Sequence, residues 1–307
     1  MNPVRGIALK VTAIALFSIM AALIKATADT VPAGQAVFFR SFFALWVILA
    51  WLAMRGDLSS GLKANNKMGH VWRGVIGTTS MALNFAALGL LPLPEVTAIG
   101  YAAPLLTVVF AAMFLGEEVR AFRLTAVGIG LIGVVIVLWP RLTIFDESPE
   151  AALATVGVLL VLGSAVFRAL AQIHIRQLVQ TDETSAIVFY FSLTATCLSL
   201  LTLPFGWVVP TLSQALMLIA AGLIGGFAQI MLTSCYRFAP ASVVAPFDYA
   251  SMLFALVIGY VWFDEVPTGA MLAGASIVIA AGIMIIWRER QLGLKRGKAR
   301  PNVTPQG

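Results

Sequence analysis

An all-α integral membrane protein, with ten transmembrane helices arranged as two inverted five-helix repeats, is the fold class that this sequence predicts. Three observations predict it: the composition, apolar runs of membrane-spanning length, and a self-similarity between the two halves. The 307 residues are 60% hydrophobic and 11% charged, against roughly 25% charged in a soluble domain. No soluble core absorbs that much apolar surface. In hydrocarbon, where water cannot satisfy backbone groups, a chain crosses only as helices or as a closed barrel. Long unbroken apolar runs select helices, because barrel strands would alternate. Cys197 and Cys235 fall inside apolar segments with no partner at metal-ligand spacing. They read as packing residues, and neither a metal nor a cofactor is expected.

A helix needs about 20 mostly apolar residues to cross. The first window, 6–28, holds the apolar run Val11 to Ile24 between Lys10 and Lys25. With no small-residue cleavage site it reads as a span, not a secretory signal. Windows 34–54, 71–91, 96–115 and 122–139 complete the first half, and 152–174, 186–204, 212–236, 243–263 and 267–287 form the second. Connections are short apart from the polar stretch 55–70 and the acidic stretch 140–151, so no soluble domain is inserted. The expected organisation is a first repeat over 1–140, a periplasmic linker at 141–151, a second repeat over 152–288, and a basic cytoplasmic tail at 289–307.

Basic residues in short loops stay on the cytoplasmic side. An inside amino terminus puts Arg5, Arg55, Lys63, Lys67, Arg73, Arg120, Arg123, Arg176, Arg237 and the tail in the cytoplasm, leaving Arg141 outside. Both termini are therefore expected in the cytoplasm. The net charge of +6 would suit nucleic acid, but the surplus sits in Arg288, Arg290, Lys295, Arg296, Lys298 and Arg300. Beside a span, that tail reads as an anchor near anionic lipid, with the bilayer as its partner.

Laid over the first half, the second places Gly157 on Gly6, Arg176 on Lys25, Val188-Phe189-Tyr190 on Val37-Phe38-Phe39, and Ser192 on Ser41. Further along, Pro240 falls on Pro94, Glu265-Val266 on Glu118-Val119, and Trp287 on Trp139. Five spans per half start the second half on the opposite face, so the repeat is inverted. Inverted repeats can exchange conformations and open a midplane cavity to each face in turn. The plainer alternative is a duplication that only built a stable bundle.

The run Leu93-Pro94-Glu95-Val96 through Tyr101-Ala102-Ala103-Pro104 to Phe114-Leu115-Gly116-Glu117-Glu118 has a counterpart in Ala239-Pro240-Ala241 through Phe263-Asp264-Glu265-Val266-Pro267. On these residues the chain resembles the drug/metabolite transporter superfamily, in its ten-helix branch built from two EamA-type domains, over nearly its whole length. Phe263-Asp264 departs from that pattern, where Leu-Gly or Phe-Gly is common, and this bears on how tight the outer turn is. The resemblance implies a secondary transporter, working by alternating access in the bacterial inner membrane, for a small organic metabolite. Members that the chain is similar to include importers of riboflavin and of S-adenosylmethionine, and exporters of amino acids and other metabolites. Its overall character is closest to the riboflavin group, so riboflavin uptake is the specific expectation.

A charge at the bilayer centre costs roughly 2.5–3.5 kcal/mol or more, so charges inside spans are functional candidates by default. Lys10 and Lys25 lie near opposite ends of the first span, where long stems snorkel. Lys25 and its repeat partner Arg176 are also gate candidates near opposite faces. Arg40, Arg168 and Asp248 lie several residues inside apolar runs, and Asp248 is the only acid deep in a predicted span. Either it pairs with one of those arginines and holds helices in register, or it meets the solute or changes protonation. Asn84, Gln172, Gln229, Tyr101 and Tyr249 complete the substrate-binding candidates. Gln172 lies one turn beyond Arg168, so the two share a face. Pro104 and Pro246 fall in the repeat-related fourth and ninth spans, where interrupted helices point to a site. The step Gly222 to Gly226 permits close helix approach, within the chain or in a homodimer, although a monomer suffices.

Rival classes have little support. No Gly-x-x-x-x-Gly-Lys-Ser/Thr run exists for direct ATP drive, and no His-Glu-x-x-His motif for an intramembrane enzyme. His70 in a loop and His174 at a helix end are poorly placed as metal ligands. An intramembrane enzyme, a channel or a scaffold remain the alternatives, and saturable flux with counterflow distinguishes a carrier from all three.

Overall fold

The computed structural model describes residues 3–115, 121–141, 148–178, 181–238 and 244–298. Regular structure among them is helical throughout. The first half runs through α1 (Pro3–Lys25), α2 (Ala33–Arg55), a single turn α3 (Leu58–Gly61) and α4 (Lys67–Leu88). Its fourth rod is split into α5 (Leu93–Gly100) and α6 (Ala102–Leu115), and α7 (Ala121–Leu138) closes it. The second half comprises α8 (Pro149–Leu178), α9 (Thr184–Leu200) and α10 (Leu212–Phe238). A 3₁₀ turn at Ala245–Tyr249 then leads into α11 (Ala250–Phe263), followed by α12 (Gly269–Lys298).

Six rods are long and apolar enough to cross a membrane by length and composition, and 124–138, 185–200 and 247–263 are shorter apolar helices. α4 makes ten, its 22 residues carrying Arg73, Thr78, Thr79, Ser80 and Asn84. The outer surface shows Trp46, Ile132, Phe227, Val257 and Val261 exposed, as expected where the solvent is lipid.

Exchanging the halves maps the packing onto itself. α1 lies on α10 as α8 lies on α4, and α1 meets α11 as α8 meets α6. The self-related pairs, α2 with α9 and α7 with α12, meet across the pseudo-twofold axis. The Gly222–Gly226 step resolves to packing within the chain: a side chain at Gly222 would strike Phe43 and the Phe39 carbonyl, and one at Gly226 would strike Val47. This is the small-residue seam that lets α10 lie close on α2.

Both proline-bearing rods depart from a continuous α-helix. Pro104 is the third residue of α6 and Pro246 the second of the 3₁₀ turn, first-turn positions where a missing N–H breaks no bond of the helix that starts there. The interruptions fall at tyrosines, and Tyr101 directly follows Gly100, whose carbonyl lacks its i+4 donor because that residue is Pro104. α6 and α11 each have 14 residues and each starts directly after one, Tyr101 and Tyr249. Their rings meet at 5.1 Å, inclined by 66°. The Tyr101 hydroxyl lies 2.7 Å from Ser251 Oγ and donates to the Tyr249 carbonyl at 3.2 Å, so the two breaks are tied together. The turn after α11 keeps its tightness without glycine, because Asp264 takes the left-handed conformation (φ 53°, ψ 27°) that aspartate tolerates. Glu265 N then donates to the Gly259 carbonyl at 2.9 Å.

Candidate functional site

A cavity of about 460 Å³ lies between the halves, within the range of small-molecule sites. Of the sequence-predicted residues, Arg40, Asn84, Tyr101, Arg168, Gln172, Gln229 and Asp248 line it. Tyr249 is the correction among the binding candidates. It is buried behind Tyr101 and takes the space that Gly282 leaves on α12, so it braces the wall and does not line it.

Exposure along the lining is uneven. Leu88, Leu93 and Val96 are buried, whereas Gln172 and Asp248 are exposed. The cavity is thus shut toward the Lys25 end and reachable from the other. Lys25 itself explains the seal. Its ammonium lies 3.0 Å from Glu265 Oε1 and donates to the carbonyls of Leu88 (3.1 Å) and Leu91 (2.8 Å), at the end of α4. Glu265 Oε2 accepts from Leu93 N at 2.8 Å, at the start of α5. Each charge therefore sits on the helix end whose dipole it complements, and together they join the α11–α12 turn to the first half. Gln35, paired both ways with the Val208 backbone (2.8 and 3.1 Å), adds a second tie at this end. The side chain of Arg176, the other gate candidate, lies outside the described residues.

Asp248 does form an ion pair, but with neither arginine. Its Oδ1 stands 2.6 Å from Lys10 Nζ, because α1 packs against both the 3₁₀ turn and α11. Lys10, expected to snorkel, is 2% exposed, whereas the Asp248 side chain is 53% exposed toward the cavity. Arg168 donates to Asn84 Oδ1 at 3.0 Å, with Ser164 Oγ at 3.5 Å. It stands one turn beyond the reciprocal Ser80–Ser164 hydrogen bonds that hold α8 on α4.

Arg73 and Phe191 are among the lining residues that sequence reasoning missed. Arg73 counts as a loop cation by its place at the edge of an apolar window, but α4 starts at Lys67 and carries it into the cavity. Phe191 on α9 is one aromatic among many, and only the fold reveals what faces it. The Arg73 guanidinium carbon lies 4.3 Å from the Phe191 centroid and that of Arg40 lies 5.6 Å from it. Arg40 Nε, Arg73 Nε and Arg73 Nη1 are buried without a hydrogen-bond partner. Cation–π contact returns about 0.5–2 kcal/mol, less than the several kcal/mol that burying an uncompensated ion costs. The lining's one carboxylate among the described residues, Asp248, is already engaged by Lys10.

Outside the spans, Asp182 in the α8–α9 connection accepts from Asn65 N and from Thr181 Oγ1 (2.6 Å), with His70 Nε2 at 3.3 Å. Burial raises its pKa, but these donors outweigh burial and hold it at about 2. Among the described residues, no three His, Cys, Asp or Glu side chains gather as a metal site would require.

Ten membrane helices, in halves that exchange by packing around a cavity shut at one end, define the class of polytopic membrane transporters of small molecules. A model of the EamA-like transporter family matches residues 4–139 and again 155–287. The chain belongs to that family. It is 32% identical over 284 residues to the pseudopaline exporter of Pseudomonas aeruginosa, covering 91% of this chain and 95% of that one. It is 26% identical over 262 residues to an S-adenosylmethionine uptake transporter of Rickettsia bellii, covering 85% and 86%. A solved crystal structure superposes with a TM-score of 0.67 over 93% of this chain and 98% of its own at 23% identity, which bears on the fold alone. The family and these relatives are transporters, not enzymes.

Proposed function

We propose that this chain is a secondary carrier that exports a small organic metabolite across the bacterial inner membrane by alternating access. The repeats, 1–140 and 152–288, rock against each other, joined by a periplasmic linker at 141–151, of which 142–147 lie outside the described residues. Both termini and the basic tail 289–307 stay in the cytoplasm. The observation that carries the reading is the asymmetry of the cavity, locked by Lys25 and Glu265 at one end and reachable past Gln172 and Asp248 at the other. In the orientation favoured by the basic loops, the open end faces the cytoplasm, the state in which such a carrier exchanges solute with that side. The outward direction is supported by the similarity to the pseudopaline exporter. The cavity is built within one chain, so the reading needs no second copy.

Riboflavin uptake is the second reading. Its support is the aromatic part of the lining, Phe17, Phe85, Tyr101 and Phe191, which suits a flat heteroaromatic solute. The test compares bacteria with and without the chain, measuring small metabolites in cells and medium by mass spectrometry. Any solute displaced by the chain, and riboflavin, is then labelled for flux in vesicles holding the purified protein. Saturable counterflow of an exported metabolite is expected. Riboflavin counterflow in its place moves the assignment to uptake of that vitamin, and absence of chain-dependent flux removes the carrier reading.

A further inference from the structure

We propose that Arg40 and Arg73, both set against the ring of Phe191, form an oxyanion-binding subsite, so that the solute this carrier moves is an organic acid bearing a carboxylate or a phosphate. The subsite deepens the carrier reading: transport of the acid rests on that reading, whereas oxyanion binding does not. Arg40 comes from α2, Arg73 from α4 and Phe191 from α9, so three helices from both halves converge on one point of the cavity wall. Arg40 is only 6% exposed, and three guanidinium nitrogens of the pair lack a partner. Two fixed, desolvated forks present several N–H donors in the geometry that carboxylate and phosphate oxygens accept. Among the described residues neither arginine has a carboxylate partner: the ion pairs Lys10–Asp248 and Lys25–Glu265 include neither of them. An arriving oxyanion satisfies the unused donors and screens the repulsion between the two cations at once. Phe191 holds the guanidiniums apart from water while leaving their edges free. Arg168, steadied by Asn84 on the same cavity, gives a longer acid a second cationic contact.

The test uses the full-length chain purified in detergent, with chloride replaced at constant ionic strength by inorganic phosphate or by citrate, and thermal midpoints as the readout. Either oxyanion is expected to raise the midpoint above that in chloride, and the larger shift names the headgroup. Arg40→Gln and Arg73→Gln should each weaken the apparent affinity roughly 30-fold or more. Arg55→Gln, at the exposed far end of α2, should behave as wild type. In chloride both cavity variants should melt higher than wild type, since each removes an uncompensated buried cation, which separates lost binding from lost folding. Should either fail to fold, Arg73→Lys keeps the charge without the fork and should bind with intermediate affinity. Equal midpoints in chloride, phosphate and citrate overturn the subsite, as does a shift that survives both glutamine substitutions. The carrier reading fails separately. Arginine-dependent phosphate or citrate binding without any counterflow leaves the subsite and removes transport. Saturable counterflow that is unchanged in both variants removes the subsite and leaves the carrier.

Discussion

Lys10 is tolerable at 2% exposure because Asp248 stands 2.6 Å from it. Asp248→Asn removes that counter-charge from a buried ammonium. Because the carboxylate side of the pair opens onto the cavity, the expected cost is about 1–3 kcal/mol, below the 3–5 typical of a fully buried pair. Lys10→Met combined with Asp248→Asn should recover most of the lost thermal stability without recovering transport. If Asp248→Asn melts and transports as wild type does, the pair is neither structural nor functional. The individual charges were readable because each is costly inside an apolar run, which singled out Arg40, Arg168 and Asp248 directly. Their partners were not readable. Pairing depends on which helices touch, and α1 meeting α11 put Lys10 where an arginine was expected. Arg73 escaped for a different reason: near the edge of a window, a cation in a loop and a cation aimed into a cavity look the same.

At the scale of elements, the fourth and ninth rods are broken at tyrosines that touch. Tyr101→Phe keeps the ring contact but removes the hydroxyl that reaches Ser251 and the Tyr249 carbonyl. We expect a loss of about 1 kcal/mol in stability and a several-fold rise in half-saturation concentration, because the breaks lose their mutual register. An unchanged half-saturation concentration would make the tie ornamental to binding. The ten rods and the inversion were legible from apolar run length and the count of spans. The prolines marked which rods would be interrupted, but the contact between Tyr101 and Tyr249 was not legible, since it depends on how the two halves pack. At the opposite end, Asp182 ties the loop before α9 to Asn65 in the loop before α4 and to His70, which lies in the first turn of α4 and not in a loop as expected. Its pKa of about 2 is depressed from the ordinary carboxyl value. The stabilisation it provides is therefore complete above about pH 4 and lost as the pH falls toward 2. Thermal midpoints of wild type and Asp182→Asn should differ at neutral pH and converge across that window. Parallel curves down to pH 2 would mean that the charge on Asp182 contributes nothing.

For the whole molecule, alternating access requires the Lys25 end to open, and the ties there set its cost. The Lys25–Glu265 pair is no ordinary surface bridge, because the ammonium also caps the carbonyls ending α4 and the carboxylate caps the amide starting α5. Glu265→Gln keeps an acceptor for Leu93 N but removes the charge. A loss of about 1.4 kcal/mol in the seal would populate the opened state tenfold more. The readout is Thr97→Cys, on the cavity wall near this end, labelled by a membrane-impermeant maleimide from the Lys25 side in a background without Cys197 and Cys235. Labelling should quicken about tenfold in Glu265→Gln when opening and closing are fast relative to the maleimide reaction, so that the rate follows the open population. The exchange of Lys25→Glu with Glu265→Lys then separates two accounts of the seal. A simple ion pair survives exchange, and labelling would return to its slow rate. A pair that also caps helix ends does not, since the exchange sets a carboxylate against the α4 carbonyls and an ammonium against the α5 amide, each opposed by the helix dipole. Labelling of the exchanged protein should therefore stay as fast as in Glu265→Gln or become faster, and a return to the wild-type rate would reduce the seal to Coulomb attraction alone.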